Sequence, residues 1–387
     1  MDRIKALFCA TVDFHFQKFH LPYLKWFKEQ GWEVHVAASG EMELPYVDEK
    51  YNISIQRSPF KADNYAAYKQ LKKIIDDNQY KLIHCHTPMG GVLARLAARS
   101  SRKFGTKVIY TAHGFHFCKG APLFNWLLYY PIEKGLARNT DCLITINQED
   151  YHLADERRFR AARVEHVHGV GIDTERFKPV EESHRHFLRR GYGYSSDDIL
   201  MFYAAEFNKN KNQRLLIEAL AILKEDIPKA KLLLAGDGPL FEECRKLSAE
   251  LGVEEMVDFL GYQDDIEWFV KQCDIAVASS FREGLPVNIM EAMACGLPIL
   301  ATKNRGHSEL IENEVNGFVV EPGDRRNYAA KMLRLYQSRE IRLKMGAENV
   351  KKMNWYTVDQ VGAELRKIYK GYMGEDARGP QIYDAKV

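Results

Sequence analysis

Short apolar runs punctuate the first half of the chain. They predict strands at Ala6 to Thr11, Glu33 to Ala38, Leu82 to Cys85, Val108 to Thr111 and Cys142 to Ile146. Between them lie longer amphipathic stretches, such as Tyr65 to Asp76 and Gly91 to Lys103, which predict helices. The second half repeats the alternation. Strands are expected at Ile199 to Ala204, Lys231 to Ala235, Val257 to Gly261, Asp274 to Ser280 and Ile299 to Thr302, with helices at Gln213 to Lys224 and Val358 to Tyr372. Strand and helix in alternation predict an α/β chain on parallel, doubly wound sheets. Ligands on such sheets bind beyond the carboxyl ends of the strands, so the residues that follow each strand carry the chemistry.

In the first half those residues are Asp13-Phe14-His15-Phe16, then His86-Thr87-Pro88-Met89-Gly90-Gly91, then His113-Gly114-Phe115-His116. In the second half the densest stretch is Glu283-Gly-Leu-Pro-Val-Asn-Ile-Met-Glu291. Gly284 allows a tight turn, Pro286 suits the first turn of a helix, and Gly296 suits the left-handed residue after one. The order is therefore strand, acidic turn, helix. Free N–H groups at the helix start suit a phosphate. Glu283 in that position suits sugar hydroxyls instead, and Glu291, two turns on, suits the paired hydroxyls of a ribose. The bland alternative is one helix-start acid and one solvated surface acid.

At 387 residues with 46% hydrophobic content, the chain can bury two ordinary cores. A formal net charge of +2 implies no polyanion partner, and nucleic acid is not expected. No run approaches the roughly 18 apolar residues that span a bilayer. The start, Met1-Asp2-Arg3-Ile4-Lys5, lacks the apolar core of a signal peptide, so a cytoplasmic protein is expected. Seven cysteines scattered through apolar segments read as reduced, buried thiols. Cys9, Cys85, Cys142 and Cys295 form no Cys-x-x-Cys pair, and neither a metal-ligand cluster nor an Asp-x-Asp motif is apparent. Two segments interleave aromatic and basic residues. Phe16 to Lys28 holds Lys18, Lys25, Trp26 and Lys28, and Leu123 to Ile132 holds Trp126 and is followed by Lys134 and Arg138. They read either as core helices with snorkelling lysines or as a surface that meets an anionic membrane.

The run Phe281-Arg282-Glu283-Gly284-Leu285-Pro286, continued by Glu291-Ala292-Met293-Ala294-Cys295-Gly296-Leu297-Pro298-Ile299, resembles the signature of the retaining glycosyltransferases of family 4. That resemblance implies a GT-B fold of two Rossmann-like domains facing across a cleft, with a C-terminal helix crossing back to the first. It divides the chain into an acceptor-side domain (1–175), a nucleotide-sugar domain (176–354), the returning helix (355–373) and a flexible tail (374–387). Gly169-Val170-Gly171-Ile172-Asp173 resembles the family's linker.

The resemblance also assigns roles. Glu283 holds the donor sugar and Glu291 the ribose. Lys211 neutralises the diphosphate, with Gly236, Tyr262, Gly284, Leu285 and Pro286 around the donor. His113 sits beside the reacting sugar. Phe14, His15, His86 and Glu206 are assigned to the acceptor side. The chain departs from the family twice. Glycines are missing after the first strand, and position 206 is Glu where an Arg is usual; Lys209, Arg214 and Arg282 are candidate substitutes.

The implied activity is transfer of a hexose or N-acetylhexosamine, with retention, from a nucleotide sugar, UDP-linked by expectation. The expected acceptor is a saccharide, carried on lipid for surface polysaccharide synthesis. No metal or other cofactor is expected, and peripheral contact with the inner face of the plasma membrane is. Rival readings are a UDP-sugar 2-epimerase of the same fold and a non-catalytic nucleotide-sugar-binding protein.

Overall fold

The computed structural model describes residues 3–373; the expected flexible tail from Gly374 lies outside them. The chain forms two compact units. Of the described residues, one comprises 3–169 together with 361–373, and the other is Val170–Gln360.

The first unit carries β1 (Lys5–Val12), β2 (Glu33–Ser39), β3 (Glu49–Asn52), β4 (Leu82–His86), β5 (Lys107–Ala112), β6 (Cys142–Thr145) and β7 (Arg163–His166), in the order β3-β2-β1-β4-β5-β6-β7. All six pairings are parallel. The central strands are apolar and buried on both faces, as crossover helices on each side require. The edge strands β3 (Glu-Lys-Tyr-Asn) and β7 (Arg-Val-Glu-His) are short and polar, and no apolar run announces them.

The second unit carries β8 (Ile199–Ala204), β9 (Ala230–Ala235), β10 (Val257–Gly261), β11 (Ile275–Ala278), β12 (Ile299–Thr302) and β13 (Gly317–Val320), in the order β10-β9-β8-β11-β12-β13. Its pairings are parallel too. Strand order reverses between β1 and β4 in one sheet and between β8 and β11 in the other. These are the switch points where a doubly wound sheet leaves a crevice. The segments after β1, β4, β8 and β11 are thus the ones placed to hold ligands.

Several local expectations shift. The helix expected to reach Lys103 ends at Ala97, and a 3-10 turn, Ser101–Phe104, follows it. Pro286 is the capping residue before the helix Val287–Ala294 rather than part of its first turn. Gly296 does take the left-handed conformation, with φ +77°. The two tryptophans of the expected membrane patch are engaged within the unit. Trp26 stacks on Tyr369 of the terminal helix Val358–Met373, and Trp126 packs against Phe117 and Tyr130. Lys28 is paired with Asp48. The apolar side chains that do face outward are Leu123, Phe124 and Leu127, exposed by 72%, 59% and 69%. Among the described residues no helix is long and apolar enough to cross a membrane.

Candidate active site

In the second unit, the turn after β11 and the loop after β8 are stitched together. Phe281 N donates to Asn210 O at 2.8 Å, Asn210 Nδ2 to Arg282 O at 3.0 Å, and Ser279 Oγ to Lys211 O at 2.7 Å. Asn212, left-handed at φ +52°, turns the chain into the helix Gln213–Leu223. The result fixes the Lys211 side chain against Glu283, with Nζ to Oε1 at 2.6 Å. The pair is sheltered but open to solvent, with side chains 22% and 13% exposed. Beneath it, Arg305 Nε donates to Glu283 O at 3.0 Å, and Asn304 Nδ2 donates to Ser280 O at 2.9 Å.

The helix Val287–Ala294 begins beside this pair. Asn288 Nδ2 donates to Ala204 O at 2.9 Å, which ties the helix start to the end of β8. Gly284 is half-buried while Leu285 and Pro286 are buried, so the turn presents backbone rather than side chains. Glu291 is half-buried on the same helix. Burial opposes the charge on Arg176, but Glu267, Asp265 and Glu291 together keep its pKa raised.

Next to the loop after β8 is a cavity of about 320 Å³ lined by Glu206, Gly236, Asp237 and Tyr262, among others. Gly236 has φ +138°, and a Cβ there would stand 2.1 Å from Ala205 O, so only glycine lets the two strand ends approach. Glu206, assigned above to the acceptor side, therefore shares its surroundings with Gly236 and Tyr262, both assigned to the donor. Of the candidate substitute cations, Arg214 is held by Glu218 at 2.8 Å, while Lys209 and Arg282 are exposed.

In the first unit the strand ends gather a group that linear spacing hides. His15, His86 and His113 come together, and His20 joins them. Burial is the main cause that lowers the pKa of each ring, to about 4 for His113, which favours the neutral form. Phe14 lies beside them but is exposed. Asp13, after β1, is a structural lock: it pairs with Lys50 at 2.7 Å and accepts from Met42 N at 2.9 Å.

Beside the histidines opens a cavity of about 850 Å³, which sequence reading did not find. Its wall includes Tyr65, Tyr68, Met89, Leu93, Leu96, Phe115, Phe117 and Tyr129, with His15 and Thr11 at one side and the exposed Arg57 and Lys61 at another. Gly91 brings the helix Pro88–Ala97 onto Tyr110, where a Cβ would meet the ring at 2.3 Å. Below, Arg95 and Glu133 form a buried pair at 2.8 Å. No single motif marks this cavity, because its lining comes from segments up to about 120 residues apart, from Thr11 to Glu133.

Comparison with known proteins decides the family. Residues 185–352 match the model for glycosyl transferases group 1, and residues 6–147 the model for glycosyl transferase 4-like domains. "Putative glycosyltransferase EpsD" of Bacillus subtilis is 51% identical over 378 residues, covering 98% of this chain and 99% of that protein. The chain belongs to the group 1 glycosyltransferases of the family 4 type. Another relative of this glycosyltransferase is the UDP-Gal:alpha-D-GlcNAc-diphosphoundecaprenol alpha-1,3-galactosyltransferase of Escherichia coli. It is 25% identical over 306 residues, which cover 78% of this chain and 77% of that one. Among solved structures, Anabaena HepE in complex with UDP and glucose aligns with a TM-score of 0.77 at 20% identity, over 95% of this chain and all of that one. WaaG, a glycosyltransferase involved in lipopolysaccharide biosynthesis, aligns with a TM-score of 0.74 at 16% identity over 95% of this chain and all of its own. Both likenesses establish the GT-B fold of this glycosyltransferase.

Proposed function

We propose that this glycosyltransferase moves a hexose or N-acetylhexosamine from a UDP-sugar to a lipid-linked saccharide of surface polysaccharide synthesis, with retention. The observation that carries the donor half is the Lys211–Glu283 pair at the start of the helix that bears Glu291. A cation for diphosphate and a carboxylate for sugar hydroxyls stand 2.6 Å apart, already desolvated in part. In the proposed reaction the bond from the anomeric carbon to the β-phosphate oxygen breaks. The acceptor oxygen bonds to the same face of that carbon, and its proton passes to the departing phosphate. Lys211 and the backbone N–H groups of the 284–286 turn stabilise the charge that develops on the leaving group, with no metal in the donor step. Glu283 orients the sugar, Glu291 the ribose, and the cavity bounded by Gly236 and Tyr262 takes the base. His113 meets the reacting sugar through its side chain or backbone.

The acceptor half is supported by the apolar cavity of the first unit. Its volume of about 850 Å³ and aromatic wall suit the first isoprene units of a polyprenyl carrier, and Arg57 and Lys61 suit its phosphates. The name of the Escherichia coli relative, with its diphosphoundecaprenol acceptor, points the same way. Exposed Leu123, Phe124 and Leu127 would rest on the cytoplasmic leaflet.

The test is a panel of nucleotide sugars scored by thermal stabilisation, followed by turnover with lipid-linked saccharides. The expected result is stabilisation by UDP and one UDP-sugar, and product formation only when acceptor is present. Conversion of a UDP-sugar without acceptor would replace this reading by the epimerase, and binding without any turnover would replace it by a non-catalytic binder.

A further inference from the structure

His15 lies in the helix Phe14–Phe19, His20 in the break before the helix Leu21–Glu29, His86 at the end of β4 and His113 just after β5. Three separate strand ends thus deliver four imidazoles to one point. One ring nitrogen of each lies within 4.8 Å of those of the other three. His15 Nε2 and His20 Nε2 are 3.0 Å apart, and His113 Nε2 and His86 Nδ1 are 3.4 Å apart. A tetrahedral ion with metal–nitrogen bonds of 2.0–2.1 Å sets its ligand nitrogens about 3.3 Å from one another.

The group is not explained by hydrogen bonding alone. His20 and His86 are 3% and 0% exposed, and His20 Nδ1 and His86 Nε2 have no hydrogen-bond partner. The nitrogens that face the group are the other ones, His20 Nε2 and His86 Nδ1, so each of these two rings turns one nitrogen toward its neighbours and leaves the second unpaired. Their neighbour His84 makes the contrast. Its Nδ1 meets Tyr369 Oη at 2.8 Å and its Nε2 meets Thr111 Oγ1 at 2.8 Å, so both of its nitrogens are used. The carboxylate of Asp13 is committed to Lys50 and Met42 and offers the group no counter-charge.

We infer that His15, His20, His86 and His113 bind one divalent transition-metal ion of the zinc class. Imidazole nitrogen suits zinc, nickel, copper and iron, and a set of neutral nitrogens excludes magnesium and calcium. His20 and His86 form the buried half of the site. His15 and His113 are half-buried, and His15 also lines the apolar cavity. The ion pins the ends of β1, β4 and β5 together and places a positive charge at the polar end of that cavity. The inference touches the proposed function at one residue: with its side chain on the ion, His113 meets the reacting sugar through its backbone.

The test uses the full chain, stripped with a chelator, dialysed, and titrated with Co²⁺ alone and then Zn²⁺ alone. The expected result is one Co²⁺ per chain, with the visible ligand-field bands of a tetrahedral nitrogen site, displaced by Zn²⁺, and a rise in Tm with either ion. His15→Asn with His113→Asn, both half-buried, should lower the affinity by about a hundred-fold or more. If that pair fails to fold, by circular dichroism, His113→Asn alone should lower it about ten-fold. His84→Gln should keep the bands. Absence of stoichiometric binding, or binding of equal strength in a folded His15/His113 variant, would overturn the assignment and mark any uptake as adventitious.

Discussion

Glu283→Gln removes a charge while it keeps the shape, and the geometry predicts that its two effects have opposite signs. In the protein without substrate, Lys211 spends its charge on Glu283 at 2.6 Å. A diphosphate must compete for that cation. With side chains 22% and 13% exposed, the pair lies between surface and core, and a worth of about 1 kcal/mol is the reasonable figure. Glutamine still accepts a hydrogen bond from Nζ, but without the charge. UDP, which has no sugar for Glu283 to hold, should therefore bind the variant about five-fold more tightly. Turnover of the UDP-sugar should fall by about a hundred-fold, since the carboxylate contact to the sugar is lost where charge develops. Calorimetry with UDP and steady-state kinetics measure the two separately. Lys211→Met supplies the control: UDP affinity should drop, and adding Glu283→Gln should then gain nothing, so the double-mutant cycle isolates the pair. The reasoning fails if UDP binds Glu283→Gln more weakly, or if the gain persists without Lys211.

Glu291→Ala should weaken UDP binding by roughly 1.5–3 kcal/mol, the worth of a hydrogen bond to a charged group, and calorimetry that finds unchanged affinity would remove the ribose assignment. UDP affinity should be the same with and without EDTA; a strict need for added Mg²⁺ or Mn²⁺ would show that Lys211 does not do the neutralising. Burial is the main cause that lowers the pKa of His307 below 6.5, partly offset by Glu283 and the Thr302 carbonyl. The unfolded chain therefore takes up the proton first. The stability of the second unit should be flat above pH 6.5 and fall below it, by at most ~1.4 kcal/mol per pH unit, a decline that urea melts would find reduced in His307→Gln. Anionic vesicles should sediment the protein at low salt and release it at high salt, with about 1 kcal/mol for each of Lys18 and Lys25 and less for Lys28, whose charge is already met by Asp48. Leu123→Ser with Leu127→Ser should weaken that binding further, and a protein that stays in the supernatant would exclude the membrane surface.

What could be read in advance follows from where the information lies. Strands buried on both faces announce themselves as apolar runs, so β1, β4, β5 and β6 were legible, whereas the edge strands Glu49–Asn52 and Arg163–His166 were not. The turn from Glu283 to Glu291 was legible because the strand, turn and helix that position it are continuous in sequence. The Lys211–Glu283 contact spans 72 residues and needs the adjacency of β8 and β11. Trp26 and Trp126 were ambiguous for a related reason: interleaved lysines and aromatics look alike whether the rings face solvent or a neighbouring helix. His20 was passed over because nothing local distinguishes it from the other twelve histidines; only the meeting of three strand ends does.

The terminal helix has a consequence for how the chain is made. Tyr369, fully buried, caps His84 and stacks on Trp26, so the terminal helix completes a unit whose strands all precede Gly169. Translation delivers the sheet before the intervening unit and the terminal helix after it. The unit Val170–Gln360 is contiguous and can finish folding as soon as it has emerged, while the earlier-made sheet waits with Trp26, Phe27 and His84 uncovered. The sheet is therefore made before the second unit and completed after it. During that interval its exposed apolar face is the segment of the nascent protein that most needs protection from aggregation.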